Sequence, residues 1–466
     1  MEIGKWKPEN RNSETEIRKS ELENRHSKME VRESRFPSGR MFWNLLCGRS
    51  FWNLKSEILN LRCGREGRMS TAIGSRRDFL SATAGSAWAS SGAFALADPG
   101  GAAAQKVGIQ RGDLPDLTIK EVKVYVVNSS RAGESAGEGL TRIAAIVTKG
   151  GIEGNYTLAE RYWHPNWSNL GWLEYAKSLL PGKSVLELPA LTSQWAPSKR
   201  RVGQLSYASA IDNCLWDILG KAVNLPVYQL LGAYRDRVRA YASSQHLKTV
   251  SEFVADLRHA KGEGFTAYKI HPPEMPDGGA DYKLDIEVAK AVRQSAGDSF
   301  TLLFDSVGVY TRDEAMKVGR VLDQLGFVSF EDPIPTTDIE GLAQLAQALD
   351  VPITIGEFIV SPYDYAEYIR RRACDVVRFV VDNIGGITGG MKVARLAECF
   401  GMECQPHNWG TALDHAVHFH CELAMPNCIW FEMTQPQGIT DRPYFKDKIR
   451  IDKDGYVPAP TKPGLG

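Results

Sequence analysis

From residue 238 onward, short apolar runs alternate with longer segments whose apolar residues recur every three or four positions. The runs have the length of buried strands, and the periodic segments have the spacing of amphipathic helices. Strands are predicted at Val238–Ser244, Ala267–His271, Thr301–Asp305, Val328–Glu331, Ile353–Glu357, Val376–Asp382, Glu403–His407 and Ile429–Glu432. Helices are predicted between them, at Val250–Gly264, Asp285–Ala296 and Arg312–Leu325 among others, with Gly264, Gly326 and Gly401 at their expected C-caps. Strands joined by helical crossovers pair in parallel. The predicted fold class is therefore α/β, a (β/α)7β TIM-like barrel spanning 236–433.

Upstream the period changes. Two alternating segments, Ile119–Val127 and Arg142–Thr148, are followed by the turn at Gly150, Gly151 and Gly154, a hairpin signature. Helical patterns follow, up to Ala208–Gly232, so 114–235 reads as a separate α+β capping domain. The Gly/Ser/Glu-rich stretch 128–140 reads as a mobile loop. The tail, 434–466, is turn-rich and is expected to pack back on the capping domain, completing it.

The first hundred residues carry no such pattern. Residues 1–68 are charged or irregular, and are expected to be disordered or an upstream extension of the reading frame, with Met69 the true start. Arg76, Arg77, Phe79 and Leu80 precede an Ala/Ser/Gly-rich stretch ending Ala95-Leu96-Ala97, which resembles a twin-arginine export signal over 69–97. The expectation is periplasmic export, with a cytoplasmic location as the alternative. Residues 98–113 read as linker.

Composition narrows the class. Lys+Arg and Asp+Glu both number 56, which argues against a nucleic-acid partner. No apolar run reaches the ~18 residues of a membrane span. The eight cysteines form no Cys-x-x-Cys pair and read as buried apolar side chains.

Each predicted strand ends in a polar residue that its apolar context does not explain. The series Asp305, Glu331, Glu357, Asp382, His407 and Glu432 is spaced by 26, 26, 25, 25 and 25 residues. A residue recurring at the same point of each unit lies on one rim of a barrel, where barrel enzymes keep their chemistry. Asp305, Glu331 and Glu357 fall on three successive strands, so their carboxylates converge. They repel strongly unless a cation neutralises them. An all-oxygen set points to Mg²⁺, with Mn²⁺ as the alternative. Lys269 and His271, two apart on one strand, both point into the barrel.

These residues, with Leu215-Trp216-Asp217-Ile218-Leu219-Gly220-Lys221, Phe330-Glu331-Asp332-Pro333, Ile384-Gly385-Gly386-Ile387-Thr388-Gly389 and Pro463-Gly464-Leu465-Gly466, give the chain a family likeness. It resembles the enolase superfamily, in its mandelate racemase/muconate lactonizing enzyme-like, acid-sugar dehydratase branch. The resemblance covers roughly Leu117 to Gly464. It implies removal of the proton α to a carboxylate through an enediolate stabilised by Mg²⁺, with a Lys or His base. On this basis Lys269, His271, Asp382, His407 and Glu432 are the expected catalytic residues. Trp163, His164 and Asn383 are the expected substrate contacts. The family's Lys-x-Lys has His271 at its second position here. Glu432 matches a carboxyl group that hydrogen-bonds the substrate carboxylate or enolate. Val380 stands where an Asp usually pairs with the strand-end histidine, and Asp382 follows two residues later, roughly 6–7 Å along the strand. Val307 stands where an Asn is common. Trp167 joins Trp163 and His164 in an aromatic cluster, while His415, His418 and His420 read as incidental. The implied activity is dehydration of an aldonate or aldarate to a 2-keto-3-deoxy acid. A racemase, epimerase or cycloisomerase, and a non-catalytic sugar-acid binder, are the alternatives. Self-assembly into a homo-oligomer is implied as well.

Overall fold

The computed structural model describes residues 114–128, 140–158, 169–193, 205–273, 281–439, 441 and 445–466. All of them fall in one compact unit. The proposed export signal, the linker, most of the 128–140 loop, Trp163, His164 and Trp167 lie outside the described residues.

The amino-terminal part is an antiparallel meander of β1 (Ile119–Asn128), β2 (Leu140–Thr148) and β3 (Glu153–Thr157). Helices α1 (Asn169–Leu179), α2 (Leu188–Ser193), α3 (Leu205–Ala222) and α4 (Val227–Leu231) follow. Gly154 lets β3 approach α3 closely, since a Cβ there would lie 2.1 Å from the Cys214 carbonyl oxygen.

The remainder is a parallel sheet of eight strands. They are β4 (Arg237–Ser243), β5 (Ala267–Ile270), β6 (Thr301–Asp305), β7 (Phe330–Glu331), β8 (Ile353–Ile355), β9 (Val376–Val377), β10 (Glu403–Cys404) and β11 (Trp430–Thr434). Their order is β10-β9-β8-β7-β6-β5-β4-β11. Seven helices connect them: α5 (Val250–Glu263), α6 (Tyr282–Ala296), α7 (Arg312–Gln324), α8 (Ile339–Ala348), α9 (Tyr365–Arg370), α10 (Gly386–Cys399) and α11 (Ala412–Ala424). Capping boxes start three of them, at Thr249/Glu252, Thr311/Glu314 and Thr411/Asp414. Between β10 and β11 the closing contacts are single hydrogen bonds: Cys404 N to Asn427 O at 2.9 Å, Asn408 N to Glu432 Oε2 at 2.9 Å, and the Thr434 hydroxyl to Asn408 O at 3.3 Å.

Several strands are shorter than the apolar runs predict. The run at 376–382 pairs only over Val376–Val377, and Asp382 lies in a 3-10 turn, Val381–Asn383. The run at 353–357 stops at Ile355 because Gly356 has φ +139°, and a Cβ there would meet Arg378 O at 2.0 Å. The chain leaves the ladder to turn polar side chains inward, and the rim is built from these irregular ends.

Period-two alternation sets the barrel interior. Tyr241, Ala267, Leu303 and Trp430 form an apolar layer on four strands. Two residues further along, Ser243, Lys269, Asp305 and Glu432 form a polar layer above it. The tail folds over the other end, where β12 (Tyr456–Pro458) pairs antiparallel with β4. It also reaches α3, with Leu465 N donating to Asp217 Oδ1 at 2.9 Å. Asp217 further accepts from Asn155 N and Lys221 Nζ, so this motif acid ties β3, α3 and the carboxyl terminus together. The next motif docks on the same helix. Ser209, Asp212, Asn213 and Trp216 of α3 bond Gly385, Thr388, Ile387 and Thr388 respectively, at the start of α10.

Candidate active site

Asp305 ends β6, Glu331 ends β7 and Glu357 follows β8. One carboxylate oxygen from each lies within 4.8 Å of the other two. Among the described residues this is the one group of three or more acidic, His or Cys side chains so placed. Two buried cations stand among these acids. Lys269 Nζ lies 3.1 Å from Asp305 Oδ2, 2.8 Å from Glu331 Oε2 and 2.8 Å from Glu432 Oε1. Arg378 forms ion pairs with Glu331 Oε1 and Glu432 Oε2, donates to the Tyr241 hydroxyl at 3.2 Å, and lies 3.9 Å from Glu357 Oε2. Arg378 is the functional residue that sequence reasoning missed. Its signal was a lone Arg in an otherwise apolar run, at even spacing from Val376 and Val380 and so on one face with them.

The charges are unevenly compensated. Burial pushes Asp305 up, but the positive charges of Lys269 and Arg378 outweigh it and hold the carboxyl well below the usual range. Burial likewise opposes ionisation of Glu432, and Arg378, Lys269 and His407 hold it well below. Glu357 is pushed well above the usual range, first by burial and then by Asp305, Glu331 and Asp332. Burial and the neighbouring acids do the same to Asp332. A surplus of buried negative charge, offered by three convergent oxygens with no sulfur or nitrogen among them, fits a hard divalent cation.

Two histidines flank the triad. His271, just past β5, places Nε2 3.2 Å from Asp305 Oδ2. Its Nδ1 lies 2.7 Å from the Ser244 carbonyl oxygen, which can only accept, so the proton sits on Nδ1 and Nε2 is the exchanging atom. His407, past β10, places Nε2 3.3 Å from Glu357 Oε2. In sheet order β5 and β10 lie on either side of the triad-bearing arc β6–β8. His271 is 5% exposed and the His407 side chain 13%, while Lys269 and Glu432 have no exposure, so the histidines lie nearer solvent than these two.

Three of the expected catalytic residues hold partners within the protein. Glu432 has both oxygens occupied, by Ser243 Oγ and Lys269 on one and by Arg378 and Asn408 N on the other. It is a buried acceptor beneath the site. Lys269 is equally sealed, so its contact is with the acids. Asp382, off the strand, accepts from the Tyr156 hydroxyl of β3, which also bonds Asp414 at 2.7 Å. Asn383 donates to the Glu357 carbonyl oxygen at 3.4 Å. The helix histidines also gain roles. His418 Nε2 accepts from Val381 N at 3.0 Å, fixing the turn that carries Asp382, and His420 Nδ1 accepts from Tyr228 N at 3.0 Å. Of the six described cysteines all are free and five are buried, as expected of apolar packing.

Comparison with known proteins agrees with this geometry. The family described as "Enolase C-terminal domain-like" matches residues 252–466. The "Mandelate racemase / muconate lactonizing enzyme, N-terminal domain" matches residues 185–232. An arabinonate dehydratase from Saccharolobus solfataricus is 33% identical over 270 residues, 57% of this chain and 70% of that protein. A 3,6-anhydro-alpha-L-galactonate cycloisomerase from Streptomyces coelicolor is 30% identical, over 56% of this chain and 69% of that protein. The crystal structure of D-glucarate dehydratase from Agrobacterium tumefaciens complexed with magnesium superimposes with a TM-score of 0.65. It is 27% identical and covers 75% of this chain and 96% of that one. With its capped barrel, its strand-end carboxylate triad and these relatives, the chain is an enzyme of the enolase superfamily, in the mandelate racemase/muconate lactonizing enzyme branch.

Proposed function

We propose that this enzyme is a Mg²⁺-dependent hydro-lyase that converts a sugar acid, an aldonate or aldarate, to a 2-keto-3-deoxy acid. The observation that carries the reading is the placement of two imidazole Nε2 atoms on either side of the carboxylate triad. Asp305, Glu331 and Glu357 would hold the ion. Bound there, Mg²⁺ lowers the cost of placing negative charge on the substrate carboxylate when the α proton leaves.

The chain's own residues do the rest. His271, with its proton fixed on Nδ1 by Ser244, offers the Nε2 lone pair to the α proton. The imidazolium that results faces Asp305, which stabilises it. His407 Nε2, from the other side, delivers a proton to the departing β-hydroxyl, which leaves as water. Lys269 and Arg378 keep the acids beneath the site ionised and fixed in orientation. Trp163 and His164 are proposed to close over the substrate, and Asn383 to contact it.

The test is a panel of aldonates and aldarates with Mg²⁺ in D₂O, with 2-keto acid trapped as its semicarbazone. Turnover that survives exhaustive EDTA treatment refutes the metal. Exchange without loss of water identifies an isomerase, a reading favoured by the cycloisomerase relative. A binder that exchanges nothing would remove catalysis altogether. His271→Ala should lower turnover by about 10²–10⁴-fold while Mg²⁺ binding, followed by calorimetry, is retained; near-normal turnover removes it from the mechanism.

We also infer twin-arginine export and assembly into a homo-oligomer, supported by the Arg76-Arg77 signal pattern and by the resemblance. Arg76→Lys with Arg77→Lys should retain the protein in the cytoplasm, and light scattering reads the assembly.

A further inference from the structure

The capping domain reaches the barrel rim through a buried phenol. Tyr156, on β3, is 1% exposed. Its hydroxyl sits between two carboxylates, hydrogen-bonded to Asp382 Oδ1 and 2.7 Å from Asp414 Oδ1. Burial, then the charges of Asp382 and Asp414, push the phenol well above its ordinary range, so it keeps its proton. Thr157 adds a second link, its hydroxyl donating to Asp414 Oδ1 at 2.9 Å. Asp414 also closes the capping box of α11, accepting from Thr411 N at 2.6 Å. His418, one turn further along α11, completes the joint. Its Nδ1 lies 2.8 Å from Asp414 O, and its Nε2 accepts from Val381 N at 3.0 Å. Strand β3, the 3-10 turn Val381–Asn383 and the first turn of α11 are thus held together by side chains far apart in sequence.

The turn belongs to a segment, 379–383, that holds two active-site residues by their backbones. Phe379 O accepts from His407 N at 2.8 Å, and Asn383 Nδ2 donates to Glu357 O at 3.4 Å. The first is the better hydrogen bond, so a shift of the segment moves His407 first. Regular pairing of β9 stops at Val377, which leaves the turn to be fixed by side chains. His271 hangs on other supports. Its N donates to Ser244 Oγ at 3.0 Å and its Nδ1 lies 2.7 Å from Ser244 O. Ser244 follows β4, on the far side of the triad-bearing arc from β9 and β10.

We propose that Tyr156 is a positioning residue for the general acid. Its clamp on Asp382 and Asp414 fixes the 379–383 segment and, through that segment, the place of His407 against the substrate. The capping domain thereby takes part in the loss of water, while removal of the α proton depends on the separate support of His271. The inference rests on the dehydratase reading, in which His271 takes the α proton and His407 protonates the departing hydroxyl.

The test separates these two steps in the full chain with Mg²⁺ in D₂O, on D-gluconate, galactarate and arabinonate. Deuterium in recovered substrate reads the step at His271, and 2-keto acid reads the step that also needs His407. Misplacing a catalytic group by about 1 Å costs about 10²-fold. Tyr156→Phe should therefore lower kcat for water loss about 10- to 100-fold with KM little changed, and raise the ratio of exchange to water loss by a similar factor. A merely destabilised fold would lower exchange and water loss together and leave their ratio alone. Asp382→Ala cuts the same bond from the other side. It should raise the ratio alike, and it carries the comparison should Tyr156→Phe misfold. The double variant should match the more affected single variant within about twofold. A wild-type ratio in both single variants, an equal fall in exchange and water loss, or strictly additive effects overturn the positioning role alone. Wild type that yields no 2-keto acid from any of the three acids refutes the dehydratase reading, and the inference with it.

Discussion

Replacing Arg378 by Met tests whether the barrel floor depends on this fixed cation. Arg378 is 1% exposed and paired to two buried acids, Glu331 and Glu432. Removing one partner of a buried ion pair costs about 3–5 kcal/mol, because the remaining charge stays in low dielectric. Here Glu432 keeps Lys269, Ser243 and Asn408 N, and Glu331 keeps Lys269, so the lower end applies. With an unfolding entropy of ~2.1 cal/mol/K per residue over roughly 300–350 residues, about 3 kcal/mol lowers the melting temperature by about 4–5 °C. The assay is differential scanning calorimetry of metal-free wild type, Arg378→Met, Glu432→Gln and the double variant. The double variant should be about 1–3 kcal/mol less destabilised than the sum of the single changes, since it removes both charges of one pair. A drop below about 1 °C, the scale of an exposed pair, or strict additivity refutes the reasoning.

Asp212 supplies a pH prediction. Burial pushes it up to about 7 against two opposing hydrogen bonds from Thr388. The folded chain then holds a proton that the unfolded chain loses near pH 4, so stability falls as pH rises from about 4 to about 7 and levels off above that. Asp212→Asn should flatten this slope in melting temperatures measured across the range; an unchanged slope rejects the assignment. Gly356→Ala places a Cβ 2.0 Å from Arg378 O at a φ of +139°. It should cost at least about 3 kcal/mol and disturb the adjacent Glu357, the proposed Mg²⁺ ligand. Urea melts and Mg²⁺ titration report both effects, and wild-type values in both refute the claim of close approach.

What the sequence determined by itself was local and periodic. Alternating runs, helix periods and C-cap glycines such as Gly326 depend on neighbours within a few residues, so they predicted the strand–helix order and placed Asp305, Glu331 and Glu357 at strand ends. Equal spacing then carried the triad, because a repeated unit delivers its last residue to the same rim. Only tertiary structure decided which polar groups face one another. Ring closure brings Glu432 the donors of Arg378 from 54 residues away and Ser243 from 189, one to each of its oxygens. Asp382 was expected on a strand, yet that strand ends at Val377 and the following turn hands the carboxylate to Tyr156, 226 residues distant. The sequence pattern fixes the face on which a side chain lies; the fate of its charge depends on partners brought together when the barrel closes.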